Sequence, residues 1–530
     1  MSKSKSLGTR PTFYVAIIII LILALGGISY LYIQKPVTNQ KEISGTANSI
    51  LCHPSQFANC TDASLRYTNL ANLNLKGINL TRADLENSSL NSTDLSYANM
   101  HDASLRFTKM ISANLSNVYA YGADLWFSNL SHTTITNSNF TAATLLVTNL
   151  NNSAIAKSNF TAATFTAAKL KDSKITNSDF TGATLDDANL NNSAITNSNL
   201  NYTTFTFANL NNSAITNSNL NYTTFTFANL NNSAIAKSNF TLATFTGANL
   251  KSATISKSSF RSASLYSANF QHATINNSNF VQGYLYFANL SSSAITNSIF
   301  VGATFTDANL NNSAIAKSNY TNATFTDANL NNSAIAKSNF TLATFIGAKL
   351  IDSKIINSDF AGATFTVAKL KDSKITNSIF VGATFTDANL NNSAITKSNF
   401  TIATFTDAKL KDSKITNSDF SFATFTVANL NNSAITKSNF TAATFTGAHL
   451  MDANLSNADL YKSYIEDSNL SHAIFYAANL QNATLINVSL SSSNLSDANL
   501  RNATLIETSL NDSVLCNTIM PNGTVDNRGC

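Results

Sequence analysis

Residues Asn191 to Leu210 read NNSAITNSNLNYTTFTFANL, and Asn211 to Leu230 repeat them letter for letter. Each twenty-residue unit is four pentapeptides, and the large apolar residue of every pentapeptide falls on a residue number divisible by five. From Leu65 to Leu515 this phase never slips: of 91 such positions only Ala120 lacks a large apolar or aromatic side chain. A period of five fits neither a helix of about 3.6 residues per turn nor a simple strand alternating every two. It fits a chain that turns a corner every fifth residue, so that four segments close one coil. In Ala188-Asn189-Leu190-Asn191-Asn192, Leu190 points inward, Ala188 fills the inner corner, and the other three face water. Most residues two before the apolar centre are Ala, Ser or Thr, since larger groups would collide there; Leu73, Ile78, Val118 and Val488 depart from this.

An unbroken internal period makes the chain of 530 residues one array rather than several domains. Hydrophobic residues are 44% and charged residues only 12%, so the surface is built from Asn, Ser and Thr. A formal charge of +5 is too small to argue for nucleic acid and has the wrong sign for an acidic mimic of it. The four prolines, at positions 11, 36, 54 and 521, all avoid the array. Proline cannot donate to a strand ladder, so its exclusion implies that the backbone N–H groups there are used, which a disordered tract would not require.

Lys3, Lys5 and Arg10 precede an apolar run from Phe13 to Ile33. Its length matches a bilayer core of about 30 Å. The competing reading, a cleaved signal peptide ending near Ala24-Leu25-Gly26, meets an apolar stretch that continues to Ile33 and no clear A-x-A site. The expectation is a basic cytoplasmic tail (1–12), a transmembrane helix (13–33), a linker and N-terminal cap (34–60), the repeat array (61–515) outside the cytoplasm, and a C-terminal cap (516–530). Secretion after signal cleavage is the alternative.

Ala83-Asp84-Leu85, Ala123-Asp124-Leu125, Ala188-Asn189-Leu190 and Ala453-Asn454-Leu455 resemble the A-(D/N)-L-x-x motif of the pentapeptide-repeat family, over about residues 61 to 520. The resemblance implies an all-β fold, a right-handed quadrilateral parallel β-helix, here with one N-terminal transmembrane α-helix. It implies less about function, since members are associated with topoisomerase protection, scaffolding and membrane-linked roles. Coils stacked at about 4.8 Å make some 23 coils a rod near 110 Å long. The inward columns are Leu (Leu190, Leu210), Ile (Ile195, Ile215) and two rich in Phe (Phe240, Phe260; Phe325, Phe345), whose rings would lie over one another. In such a rod cross-end pairing of the four cysteines is impossible. Cys52 with Cys60 and Cys516 with Cys530 remain, the alternative being four unpaired thiols.

Three outward patterns are candidate surfaces. Thr204, Thr206, Thr224, Thr226, Thr304, Thr306, Thr324 and Thr326 flank inward Phe residues and read as two parallel rows on one flat face. They look like the T-x-T arrays of β-helical ice-binding proteins; the plainer explanation is that Thr favours strands and stacks on its own kind. Lys157, Lys237, Lys317, Lys337, Lys397 and Lys437 form a column beside the Ile face, with Lys174, Lys354, Lys374 and Lys414 three residues earlier where that column is Asn. With Asp307, Asp327, Asp387 and Asp407 at the end of the Thr-Phe-Thr segment, the cross-section is dipolar, and the basic stripe suits an anionic polymer or lipid headgroups as well as plain solvation. Asn189 and Asn191 represent amide ladders from coil to coil.

No catalytic constellation, cofactor motif, metal-ligand spacing or small-molecule substrate site stands out; His101, His132, His272, His449 and His472 are scattered singly. Arg261 alone represents arginine between Phe107 and Leu500, so phosphate recognition in nucleic acid is poorly supplied. The sequence therefore reads as a non-enzymatic, membrane-tethered rod offering an extended surface for structural or adhesive interaction with a protein or anionic polymer. The alternatives are a topoisomerase-directed DNA mimic and ice binding through the threonine face.

Overall fold

Every fifth residue from Phe57 to Asn517 has a positive φ, between 48° and 68°, in the computed structural model, which describes residues 52–530. This is the left-handed region, costly for side chains with a Cβ and best tolerated by Gly, Asn and Asp. It explains why Asn recurs at Asn192, Asn197, Asn212 and Asn217. Each left-handed residue marks a corner, and most are the third of a four-residue turn closed by a hydrogen bond, as from Ser193 N–H to the Leu190 carbonyl (3.1 Å) and from Ala208 N–H to Phe205 (3.0 Å). Four such corners complete a coil, and residue i pairs in parallel with residue i+20.

The residues at multiples of five from Leu65 to Leu500 are buried, together with the small residues two before them, in one continuous core. Like rings lie over like rings: Phe305 on Phe325 at 4.7 Å, Phe325 on Phe345 at 4.8 Å, each 3° from parallel. The fold is thus an all-β parallel solenoid, with no helix among the described residues.

Regular strands occupy only part of it. Sixteen three-residue strands, Thr134–Thr136 to Ala434–Thr436, form one parallel sheet on the Ile face; five more, Thr424–Thr426 to Thr504–Ile506, form a second sheet on the adjoining Phe column. Together they cover about 19 turns, fewer than the 23 or so expected. The turns before Thr134 are joined by single bridges such as Asn79↔Asn99.

The sheet on the Ile face follows one column of serine. Sixteen serines, at every twentieth position from Ser138 to Ser438, sit buried at the corner after the Ile face; buried serines such as Ser193 and Ser213 also line the corner before it, but there the ordinary turn bond closes. At the corner after the Ile face the usual turn hydrogen bond gives way to a ladder: Ser198 N–H donates to Ser218 Oγ (3.1 Å) and Ser198 Oγ donates to the Thr196 carbonyl (2.9 Å). The segment before the corner then stays extended. Upstream the equivalent residues are Ile78 and Ala98, which close ordinary turns onto Leu75 (3.1 Å) and Leu95 (3.0 Å). Ser338→Ala removes the acceptor of the Ser318 N–H (3.2 Å). An orphaned buried N–H costs about 1–3 kcal/mol, so the Ser318 amide should lose that much protection in native-state hydrogen exchange. Unchanged protection would mean that the corner had reclosed in the Ala98 manner.

Both cysteine pairs are bridged, Cys52 to Cys60 (Cα–Cα 5.3 Å) and Cys516 to Cys530 (4.8 Å). After Leu515 the chain folds back as an antiparallel hairpin, Thr518–Ile519 with Val525–Asp526, and Leu515 N–H donates to the Arg528 carbonyl (2.7 Å). The last coil's edge is thereby covered. The expected transmembrane helix (13–33) lies outside the described residues; among those described, no helix is long and apolar enough to cross a membrane.

Candidate functional site

The coil 201–220 gives a position scale from 1 to 20: apolar centres at 5, 10, 15 and 20, left-handed corners at 2, 7, 12 and 17. On that scale the surface divides sharply. Between residues 141 and 450 there are nineteen lysines, and all stand at positions 9 to 17. Lys157, Lys237, Lys317, Lys337, Lys397 and Lys437 occupy the left-handed corner at 17, with φ between 50° and 56°. Lys174, Lys354, Lys374 and Lys414 open strands of the Ile face and are exposed. The motif AKLKDSK carries two lysines ahead of these that sequence reasoning missed. They add Lys169, Lys369 and Lys409 at position 9 and Lys171, Lys371 and Lys411 at position 11, all on the same side. Only Lys171 and Lys371 among them meet a carboxylate, Asp172 (3.7 Å) and Asp372 (3.6 Å), within ion-pair distance among the described residues.

The lysine corner borders two shallow grooves along the serine ladder. One, of about 500 Å³, is lined by Asn137, Lys157, Asn159, Asn177, Asp179 and Asn199 among others. The second, of about 420 Å³, is lined by Lys337, Asn339, Asn357, Asp359 and Ile379. Amide ladders run beside them, Asn217 Nδ2 to Asn197 Oδ1 (2.6 Å) and Asn377 Nδ2 to Asn357 Oδ1 (2.7 Å). On the Leu face Asn249 Nδ2 likewise donates to Asn229 Oδ1 (3.2 Å). Donors and carbonyl oxygens thus alternate along the edge of a cationic strip.

The threonine rows differ from the expected flat face. Thr204, Thr224, Thr304 and Thr324 bridge in one row, but Thr206, Thr226, Thr306 and Thr326 begin the turn that follows Phe and sit on the corner. The ordinary turn bond from Ala208 to Phe205 bends the chain there, because no serine ladder holds it open. A two-row strand face exists only further on, at Thr424–Thr426 and Thr444–Thr446.

Large apolar side chains have gone to the opposite side from lysine. Of sixteen that are exposed between residues 141 and 450, fourteen stand at positions 2 to 7, Ile299 and Ile379 being the others. Tyr202 stacks on Tyr222 (4.8 Å, 5°) and Phe207 on Phe227 (5.4 Å, 13°). Asp187, Asp307, Asp327, Asp387 and Asp407 share the corner at 7. Near the N-terminus charge is handled differently, by arginine pairs: Arg66 with Asp84 (3.0 Å) and Arg82 with Asp62 (2.7 Å), where the Arg82 hydrogen bond holds the Asp62 carboxyl below the usual carboxylate range. No group of three or more His, Cys, Asp or Glu able to hold a metal ion occurs among the described residues.

Among protein families, the model for pentapeptide repeats (8 copies) matches ten stretches between residues 58 and 441, and that for a pentapeptide repeat region matches residues 438–515. Similar solved structures include HetL, a pentapeptide repeat protein involved in heterocyst differentiation regulation from the cyanobacterium Nostoc sp. Strain PCC 7120. It is 23% identical over 46% of this chain and 92% of HetL, with a TM-score of 0.20. Rfr23 from the cyanobacterium Cyanothece 51142 is 31% identical over 18% of this chain and 62% of its own, TM-score 0.16. QnrB1, a plasmid-mediated fluoroquinolone resistance protein, is 23% identical over 35% and 89%, TM-score 0.20. Among curated protein sequences none matches this chain.

Proposed function

Since the chain belongs to the pentapeptide-repeat family, we propose that it works as a non-enzymatic solenoid, tethered to a membrane and lying outside the cytoplasm, whose lysine side receives an extended anionic polymer. The observation that carries this is the confinement of nineteen lysines to nine consecutive positions of the coil over more than 300 residues. Lysine spread for solubility alone would surround the rod. A strip of point charges with regular pitch suits a ligand that is itself repetitive and negatively charged, and with arginine reduced to Arg261 the contact is electrostatic rather than bidentate. The tether is supported by the apolar run Phe13 to Ile33, and the compartment by two disulfides, which persist where the surroundings are oxidising. A DNA mimic needs an acidic face of comparable length, and the lysine side is its opposite. An ice-binding plane needs both threonine rows flat, and Thr206, Thr226, Thr306 and Thr326 stand on a corner.

The test is binding of the full-length protein to dextran sulfate across a salt series. Replacing Lys317, Lys337, Lys354, Lys374, Lys397, Lys414 and Lys437 by Gln should weaken binding at least tenfold at moderate salt and flatten the dependence of affinity on salt. Equal affinity and equal slope in the variant would end the proposal.

A further inference from the structure

The side turned away from lysine is built for a different occupant, and we propose that it is a second copy of this chain. The two solenoids lie parallel and in register about a two-fold along their axes, so that corner 2 of each coil meets corner 7 of the same coil in the other copy. The surface to be covered is large and apolar: Tyr202 is 59%, Phe227 51% and Phe422 59% exposed, and monomers rarely leave such rows in water.

The rings on this side form short stacks. Tyr202 and Tyr222 lie 5° from parallel at 4.8 Å, so each covers one face of the other. A nucleic acid would need cations beside these rings, and those sit on the far side. What remains is a comb whose pitch is that of the solenoid. Another copy has the same pitch.

The corners themselves carry the stronger argument. Between residues 121 and 450 every left-handed glycine stands at corner 2 or 7, and none at 12 or 17. In each such coil the other corner of the same side bears a side chain: Leu242 accompanies Gly247, Leu342 accompanies Gly347, and Val367 accompanies Gly362. Asp187, Asp307 and Asp387 likewise accompany Gly182, Gly302 and Gly382. Some glycines make room within the chain, as Gly362 does for Leu342, where an added Cβ would lie 2.8 Å from the side chain. Others do not: a Cβ on Gly182 would meet nothing within 4 Å, and on Gly302 only Gln282 at 3.8 Å. The left-handed φ (65° and 64°) suits glycine at these two corners, and within one solenoid little fills the space beside them. In the parallel pair each becomes the hole for the knob at the facing corner, while the Tyr202 and Tyr222 rungs meet Phe207 and Phe227 of the second copy. The carboxylates fit the same arrangement. They stand at corner 7, and no charged residue occupies corner 2 between residues 141 and 450. Parallel pairing therefore sets no Asp against Asp, whereas an antiparallel pair would face corner 7 with corner 7.

The experiment uses the full-length chain in detergent, with mass by light scattering and disulfide trapping. The unaltered protein should have the mass of two chains. Tyr222→Lys with Phe227→Lys should reduce it to one without moving the unfolding transition, since lysine already occupies a left-handed corner at Lys317 (φ 51°). Chains carrying Asn322→Cys should crosslink to chains carrying Asp327→Cys and not to one another. A single-chain mass for the unaltered protein at tens of micromolar overturns the proposal. So does a two-chain mass that survives the double substitution, or Asn322→Cys chains that link to themselves.

Discussion

Phe345→Asp should open one stretch of the solenoid and leave the rest folded. Phe345 lies between Phe325 and Phe365, 4.8 Å from each and 3° from parallel, and meets Phe340 (5.7 Å, 50°) and Phe360 (5.8 Å, 51°) at a tilt from the neighbouring column. It has no exposed surface. Losing a buried Phe costs about 3–5 kcal/mol. The new carboxylate finds no cation in a core made of Leu, Ile, Phe and Ala, which adds several kcal/mol. That total exceeds what a few coils can hold together by neighbour contacts. Yet coils touch only their neighbours, so the damage has no route along the axis. Hydrogen exchange followed by mass spectrometry should show lost protection over about residues 321–380 and full protection in the coils around Phe205 and Phe225. Loss of protection along the entire array would falsify this neighbour-only account.

The same locality explains which parts of the molecule could be read beforehand. The inward columns, the small residue two before each centre and the stacked rings are properties of the repeat itself, and a strict period states them directly. What escaped was the backbone. Asn192 and Asn197 signalled a left-handed corner every fifth residue, but Asn also suits amide ladders, and the ladder reading hid the conformational one. Ser198 and its column look like the small residues of other corners; the Ser198 hydroxyl accepts the N–H of Ser178 in the preceding coil, whereas the Ser193 hydroxyl donates within its own turn to the Leu190 carbonyl, and the sequence does not tell the two apart. Thr206 was placed on a flat face for the same reason, since sequence alone does not tell a held-open corner from a closed one. The lysine column was legible because charge is rare here, while Lys169 and Lys171 were lost inside the AKLKDSK motif. The apolar side went unread because its residues, Tyr202, Leu242 and Phe422 among them, are scattered in sequence and converge only once corners 2 and 7 are known to flank one face.

Tyr320→Phe should make the protein more stable. Tyr320 stands where its column has Phe300 below and Phe340 above, stacked at 4.8 and 4.7 Å and within 3° of parallel. The ring is fully buried and its hydroxyl has no hydrogen-bond partner among the described residues. Burial also pushes the phenol pKa upward. A hydroxyl taken from water without a partner costs about 1–3 kcal/mol, while the ring keeps its stacking in either residue. Removing the oxygen leaves at most a small gap, because the neighbouring coils already accept Phe at this place. The amides of coils 301–340 should therefore gain about 1–3 kcal/mol of protection, read by native-state hydrogen exchange, with the coils around Phe205 unchanged. If Tyr320→Phe instead weakens those coils, the hydroxyl has a partner in solution, and a buried water beside the Phe305 and Phe325 rings becomes the feature to look for.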